Sequence, residues 1–152
     1  MQTFLPYDDF YASAECLDMR RLGKQRVEAM QILHCLLGIA STSWHRHPAV
    51  RMWHGHEQAL AAYGFAVCEV WRERGYHDTA LNEFDRILET MPSWSDDCLP
   101  PWFGDAAFHA SHRSNLLRKD LNHYSKFGWS EPTTLPYLWP ETTHDAPPSP
   151  TR

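Results

Sequence analysis

Long apolar runs and strand-like alternation of apolar and polar residues are both missing from this chain of 152 residues. No apolar stretch approaches the roughly 20 residues that a membrane-spanning helix needs. The first residues also lack the basic start and apolar core of a secretory signal. We therefore expect a cytoplasmic protein with no membrane partner.

Closely spaced cysteines and a surplus of basic residues are missing as well. The four cysteines form no C-x-x-C pair, so we expect reduced and mostly buried thiols. The formal net charge is -5, which argues against a nucleic-acid partner, but the charge is unevenly spread. Residues 78–105 hold seven acids and one base, whereas residues 109–126 hold four bases and one acid. One face of the protein can therefore be basic while another is acidic.

The spacing of apolar residues indicates helices along most of the chain. Helices are predicted from Asp8 or Asp9 to Leu17, over 18–37 and 49–74, from Asp78 or Thr79, and over 108–124. Six prolines follow Trp129, so we expect residues 135–140 to pack on the body and the remainder to be mobile. The predicted fold is all-α: one compact domain of about four to five helices over 1–140, then a Pro-rich irregular tail over 141–152.

Residues 108–124 carry more polar and cationic groups than packing requires. Asp105 can cap this helix, and Phe108, Leu116 and Leu117 can form its inward stripe. The side chains then left to face outwards suit a phosphate backbone with exposed bases, although a solvated helix surface is the simpler alternative. The candidate DNA-binding residues of this helix are His109, His112, Arg113, Asn115 and Lys119.

A second cluster lies on the predicted helix 18–37. Four cations precede a single acid there: Arg20, Arg21, Lys24 and Arg26 come before Glu28. Lys24 and Glu28 are four residues apart and can simply pair on one face of the helix. Alternatively, Glu28 is a carboxylate held among cations, ready to transfer a proton beside an anionic substrate.

Three segments, in this order, give the chain a family resemblance. They are residues 17–28, residues 47–53 with the helix that leads to Gly75, and residues 108–124 with the aromatic stretch 127–129. The chain resembles the pyrimidine-dimer DNA glycosylases, a group of small helical repair enzymes. The resemblance covers roughly residues 1–129.

The resemblance implies a DNA glycosylase that also cleaves at the abasic site, without metal or cofactor. In that family an N-terminal α-amine attacks the sugar C1′ to form an imine, and a helix glutamate assists. An α-amine has a reference pKa of about 7.7–8.0, so part of it is unprotonated at neutral pH. Because Gln2 is large, we expect Met1 to be retained, which makes Met1 and Glu28 the candidate catalytic residues. Val27 stands where the family has an arginine.

The same resemblance assigns the remaining candidate residues. The cations of the helix 18–37, Arg20, Arg21, Lys24 and Arg26, would hold phosphates near Glu28. The helix 108–124 would form the second wall of the cleft. The expected substrate is DNA with a damaged or modified pyrimidine, and the expected state is a monomer.

Two alternatives follow from other residues. His45, His47, His54 and His56 form two H-x-H pairs that could ligate zinc, although His54 and His56 would point about 200° apart on a helix. Alternatively, the chain is a nucleic-acid or nucleotide binding module that has kept the scaffold and lost the chemistry. Only three lysines are available for a lysine-based imine.

Overall fold

The computed structural model describes residues 1–40 and 43–140, which form helices joined by turns and loops, with no strand. The prediction of an all-α fold is therefore confirmed for this part of the chain. The predicted tail, residues 141–152, lies outside the described residues. The α-helices are α1 (Phe10–Cys16), α2 (Met19–Leu36), α3 (Pro48–Arg51), α4 (Glu57–Glu73), α5 (Leu81–Glu89), α6 (Ala106–Lys119) and α7 (Leu121–Tyr124). Short 3-10 turns occur at Ser43–Arg46, Asp96–Cys98 and Ser125–Phe127.

The first two helices begin and end close to where the sequence predicts. The Asp9 carboxylate accepts a hydrogen bond from Ala12 N at 2.8 Å and caps α1. Asp18 caps α2 in the same way, and the chain leaves α2 through Gly38, whose φ is +73°. Local capping chemistry is thus sufficient to set these boundaries.

Two predicted continuous helices are broken, which raises the helix count of the described residues to seven. The helix expected over 49–74 stops at Arg51, and a turn containing Gly55 at φ +83° separates α3 from α4. The run over 108–124 is interrupted at Asp120, whose φ of -153° is not helical. Asp120 then accepts a hydrogen bond from His123 N at 3.1 Å and starts α7. In both places the apolar spacing continues through a turn, so periodicity alone does not reveal the break.

Helix α4 is the centre of the core and packs against α1, α2 and α5. Its residue Gly64 faces Phe84 of α5 so closely that an added Cβ would lie 2.3 Å from the ring. Trp53, in the turn before α4, is fully buried and packs against Trp102. The four cysteines are free thiols, with Cys16 and Cys68 buried. None of the described helices is both long and apolar enough to cross a membrane.

The last described segment lies along α6, which agrees with the expectation that residues 135–140 pack on the body. Leu135 N donates a hydrogen bond to the Ser114 hydroxyl at 3.0 Å, and Leu138 N donates to the Ser111 hydroxyl at 3.2 Å. These contacts bring the aromatic side chains of this segment to the side of the molecule where the chain begins.

Candidate active site

The first five residues have no regular secondary structure, and residues 2–5 are buried and held by side chains. The carboxamide of Gln25, on α2, donates to Gln2 O at 2.7 Å and accepts from Phe4 N at 2.9 Å. The Tyr63 hydroxyl, on α4, reaches the same segment and lies 2.9 Å from Phe4 O. Thr3 adds a side-chain contact, because its hydroxyl accepts from Trp53 Nε1 at 3.0 Å. The N-terminal segment is therefore fixed residue by residue against α2 and α4.

Two histidines of α6 hold both backbone groups of Leu5. His112 Nδ1 accepts from Leu5 N at 2.9 Å, and His109 Nδ1 lies 2.7 Å from Leu5 O. Because His109 Nε2 accepts from Gly104 N, its Nδ1 carries the proton and donates to Leu5. Burial lowers the pKa of both imidazoles, that of His112 to about 3. Both rings are neutral at physiological pH, so they position the N-terminal segment and supply no positive charge.

This segment brings the chain terminus to Glu28. Gln2 N donates a hydrogen bond to Glu28 Oε2 at 3.0 Å, and Met1 lies in the same cleft. The cleft has a volume of about 470 Å³, within the range typical of small-molecule sites. Its lining includes four cationic side chains and one carboxylate, that of Glu28. The lining residues are Met1, Gln2, Phe4, Arg20, Arg21, Lys24, Gln25, Glu28, Lys119, Tyr137 and Trp139.

His47 lies at the edge of this arrangement. Its Nδ1 accepts from Ala49 N at 3.0 Å and caps α3, and its ring lies 6.1 Å from that of Trp139. Burial lowers the pKa of His47, the positive charge of the terminal amine lowers it further, and the Glu28 carboxylate acts in the opposite direction. The terminal amine and the Glu28 carboxylate are thus both near this imidazole.

The structure brings together six of the residues predicted for the site. Met1 and Glu28 lie in the cleft with the α2 cations Arg20, Arg21 and Lys24, and with Lys119 from the end of α6. Arg21 is partly neutralised, because its guanidinium lies 3.2 Å from the Asp18 carboxylate. The other cations leave the cleft with a local positive excess although the whole chain is acidic.

Arg26 does not line the cleft. Its guanidinium donates to the Asp78 carboxylate at 2.7 Å and lies 4.8 Å from the centre of the Trp71 ring, above its face. It therefore occupies a neighbouring groove, in which the exposed Val27 also lies. The Arg26 guanidinium is thus engaged by Asp78 and Trp71 and is not directed into the cleft.

The remaining candidates on α6 also lie outside the cleft, and this corrects the expectation that they form its second wall. His109, His112 and Asn115 are buried. Asn115 Nδ2 donates to Leu135 O at 3.0 Å, and Arg113 pairs with Glu131 at 2.8 Å. Their polar groups are engaged by the N-terminal segment and by residues 131–135, so they are not available to a ligand.

Instead, the second wall consists of Lys119 with Tyr137 and Trp139. The sequence predicts that these two aromatic residues pack against the helical domain, but it assigns them no part in the site. It also missed Gln25, which lies among the α2 cations but faces inwards and is buried. A glutamine at an inward position of α2 was the one available signal, because buried amides are normally engaged in hydrogen bonds.

The proposed zinc site is not assembled in the described residues. No three of their histidine, cysteine, aspartate and glutamate side chains are grouped to hold a metal ion. His47 uses its Nδ1 to cap α3, which leaves at most its Nε2 for a metal ion.

Comparison with known families gives a match that covers the N-terminal half of the chain. The family model described as pyrimidine dimer DNA glycosylase matches residues 1–83, more than half of the chain. This stretch includes the terminal segment, Glu28 and the cations of α2. No curated protein and no solved structure matches the chain. Because this family model matches more than half of the chain, the chain belongs to the pyrimidine dimer DNA glycosylase family.

Proposed function

We propose that this chain is a DNA glycosylase with abasic-site lyase activity toward damaged or modified pyrimidines, and that the α-amine of Met1 is its nucleophile. The observation that carries the proposal is the hydrogen bond from Gln2 N to Glu28 Oε2 at 3.0 Å. It places the terminal residue beside a carboxylate inside a cationic cleft. An amine and a carboxylate together can supply both nucleophilic and acid–base catalysis.

The first stage replaces the base by the amine. The unprotonated nitrogen of Met1 bonds to the sugar C1′ while the bond from C1′ to the base breaks. The electron pair of that bond leaves with the base, which takes up a proton. Glu28 accepts a proton from the attached amine and gives it to the ring oxygen O4′ as the C1′–O4′ bond breaks. The sugar ring opens, the protonated imine forms, and Glu28 is ionised again.

The second stage cleaves the strand. Removal of a proton from C2′ by Glu28 expels the 3′ phosphate by β-elimination, and water then hydrolyses the imine and frees the amine. Every group in these steps is the amine, the carboxylate or water, so the proposed mechanism is independent of metal and cofactor. An α-amine suits the role, because its reference pKa is about 7.7–8.0 against about 10.4 for lysine.

The cations of the cleft bind the DNA backbone in this proposal. Arg20, Lys24 and Lys119 are exposed, and all three line the cleft next to Glu28. Contacts of this kind to phosphates set the register of the duplex, and the base is read separately. Of the predicted DNA-binding residues, we retain Arg20, Arg21, Lys24 and Lys119 in this role.

The test is borohydride reduction of the protein mixed with DNA that contains an abasic site, followed by mass spectrometry of the adduct. We expect a covalent adduct on the amine of Met1 that forms equally well in the presence of a chelator. An adduct on Lys24, Lys119 or Lys126 would overturn the assignment of the nucleophile. No adduct, with the abasic strand intact, would overturn the enzyme and favour a binding module.

The mass of the intact purified protein decides which nitrogen is terminal. If Met1 is retained, its amine carries the adduct as proposed. If Met1 is removed, the terminal nitrogen is Gln2 N, the atom 3.0 Å from Glu28, and the identity of the nucleophile is corrected by one residue. We further propose that the protein acts in the cytoplasm as a monomer, which size-exclusion chromatography with light scattering and cell fractionation will test.

A further inference from the structure

His47 caps α3 with one nitrogen of its ring and leaves the other available to a ligand. Its Nδ1 accepts a hydrogen bond from Ala49 N at 3.0 Å. A ring nitrogen that accepts from a backbone N–H carries no proton, so the proton of the neutral imidazole is on Nε2. Burial and the charge of the terminal amine lower the pKa of His47, and the ring is neutral at physiological pH. The cap therefore fixes His47 as a neutral Nε2–H donor.

This donor is not used by the fold. Among residues 1–40 and 43–140, His47 Nε2 makes no hydrogen bond. The residue is only partly buried, and its Nε2 is not one of the buried polar atoms that lack a partner. The nitrogen is therefore accessible, and it can bind a ligand without first breaking a contact within the protein.

The position of the ring connects this donor with the reacting groups. His47 directly precedes α3, which packs against α2. The terminal amine and the Glu28 carboxylate both act electrostatically on the imidazole, which therefore lies close to both. On its other side the ring meets Trp139 edge to face, with 6.1 Å between the ring centres, and Trp139 lines the cleft. The donor thus lies where the aromatic wall of the cleft approaches the amine and the carboxylate.

The first stage of the proposed mechanism places negative charge on the departing base. When the bond from C1′ to N1 of a pyrimidine breaks, its electron pair stays on N1 and is shared with the carbonyl oxygen at C2. A fixed donor aimed at an atom where charge develops can accelerate a reaction strongly, and a neutral imidazole can act in this way. A neutral donor beside an indole ring also suits a base better than a phosphate, because phosphates favour cations.

Resting on the proposed function, we propose that His47 is a further catalytic residue, whose Nε2–H donates a hydrogen bond to the C2 carbonyl oxygen of the departing pyrimidine. The proton stays on Nε2, because a neutral imidazole is a very weak acid, and the released base takes its proton from water. All pyrimidine bases carry this carbonyl, so the contact promotes loss of the base without selecting among pyrimidines. Once the base has left, the donor has no further part in cleavage of the strand.

The experiment compares cleavage of two duplexes in single turnovers with the protein in excess. One duplex contains a cyclobutane thymine dimer, from which a base must first be released, and the other contains an abasic site. His47→Ser keeps a side-chain oxygen that can cap α3 but has no Nε2–H, whereas His47→Ala lacks both the cap and the donor. His77→Ser is the matched control at an exposed residue that does not line the cleft.

We expect His47→Ser to cleave the dimer duplex roughly 10²-fold more slowly than the unmodified protein, the usual cost of losing one donor to a developing negative charge. It should cleave the abasic duplex at the unmodified rate. His47→Ala should lose as much dimer cleavage, because the serine cap restores α3 but not the donor, and His77→Ser should lose none.

Two results would overturn the inference. Unchanged cleavage of both duplexes by His47→Ser would show that the side chain only caps α3. Equal losses on both duplexes would show that His47 acts through the fold or the terminal amine. In either case, borohydride trapping by the unmodified protein would leave the proposed function intact, whereas absence of trapping in the unmodified protein would overturn that function.

Discussion

At the scale of single residues, the N-terminal segment depends on side chains far away in the sequence. Gln25 pairs with the backbone of Gln2 and Phe4, and His109 and His112 pair with that of Leu5. These interactions place the terminal residue beside Glu28 before any substrate arrives. Such prior positioning lowers the entropic cost of bringing reacting groups together.

Replacing Glu28 with glutamine should show whether Glu28 acts through its ionisable carboxyl group or only through its hydrogen bond with Gln2 N. Glu28→Gln keeps an oxygen that can accept from Gln2 N but removes the proton acceptor. We expect imine trapping to fall by about 10²–10⁴-fold, the usual contribution of a general acid–base group, with little change in thermal stability. Glu89→Gln, on the exposed end of α5, is the control and should trap like the parent protein. Full trapping by Glu28→Gln would contradict the proposed role.

His112 should make the fold sensitive to acid. Its pKa is about 3 in the folded protein because of burial, against about 6.5 in an unfolded chain. As the pH falls from about 6.5 towards 3, the unfolded state binds a proton that the native state does not, so stability decreases. The loss amounts to at most about 1.4 kcal/mol per pH unit from this group.

Chemical unfolding at several pH values measures this effect. His112→Asn, which offers an acceptor to Leu5 N but does not titrate, should unfold with a weaker dependence on pH below about 6. Part of the dependence should remain, because burial also lowers the pKa of His109. His77→Gln, at an exposed position, should leave the pH dependence as it is. An unaltered slope in His112→Asn would show that this imidazole does not contribute.

At the scale of elements, the fold depends on close approach of α4 and α5. An added Cβ on Gly64 would lie 2.3 Å from the ring of the fully buried Phe84. Gly64→Ala should therefore lower the free energy of unfolding by about 1–3 kcal/mol, although alanine favours helix. Gly23→Ala is the matched control, because its Cβ would lie 3.1 Å from the edge of the partly exposed Trp71. Urea titration measures both variants, and equal stabilities would contradict this packing of α4 and α5.

The ends of α2 could be predicted from the sequence, but the break between α3 and α4 could not. Asp18 and Gly38 act locally, through a cap and a left-handed residue. Gly55 also adopts a left-handed conformation, yet it lies within a run whose apolar spacing suits a continuous helix. The break accompanies the burial of Trp53, which packs against Tyr63 of α4 and against Trp102 from a distant part of the chain.

At the scale of the whole molecule, an acidic protein carries a cationic cleft. The net charge is -5, while Arg20, Lys24 and Lys119 are exposed around Glu28. When these cations contact DNA phosphates, counterions bound to the DNA would be released. The affinity for DNA should therefore fall as the salt concentration rises. The local excess of positive charge thus matters more for binding than the total charge does.

Removing one of these cations should reduce that salt dependence. For Lys24→Ala, we expect the slope of log affinity against log salt concentration to decrease in magnitude by roughly 0.9. Fluorescence anisotropy with a duplex that contains a stable abasic-site analogue measures the slope. Arg72→Ala removes an equal charge from an exposed position of α4 and should leave the slope unchanged. Equal changes in both variants would place the DNA elsewhere on the surface.

The sequence alone determined what depends on neighbouring residues: the helical class, the caps of α1 and α2, and the grouping of Glu28 with the cations of α2. It also carried the family pattern that the comparison matches over residues 1–83. Only the tertiary structure decided that Gln2 N meets Glu28, that two histidines of α6 are buried and neutral, and that Tyr137 and Trp139 complete the cleft. The physical reason is that burial and hydrogen bonding depend on which distant segments pack together. A side chain that helical spacing predicts to face solvent can therefore be buried and hydrogen-bonded in the folded protein.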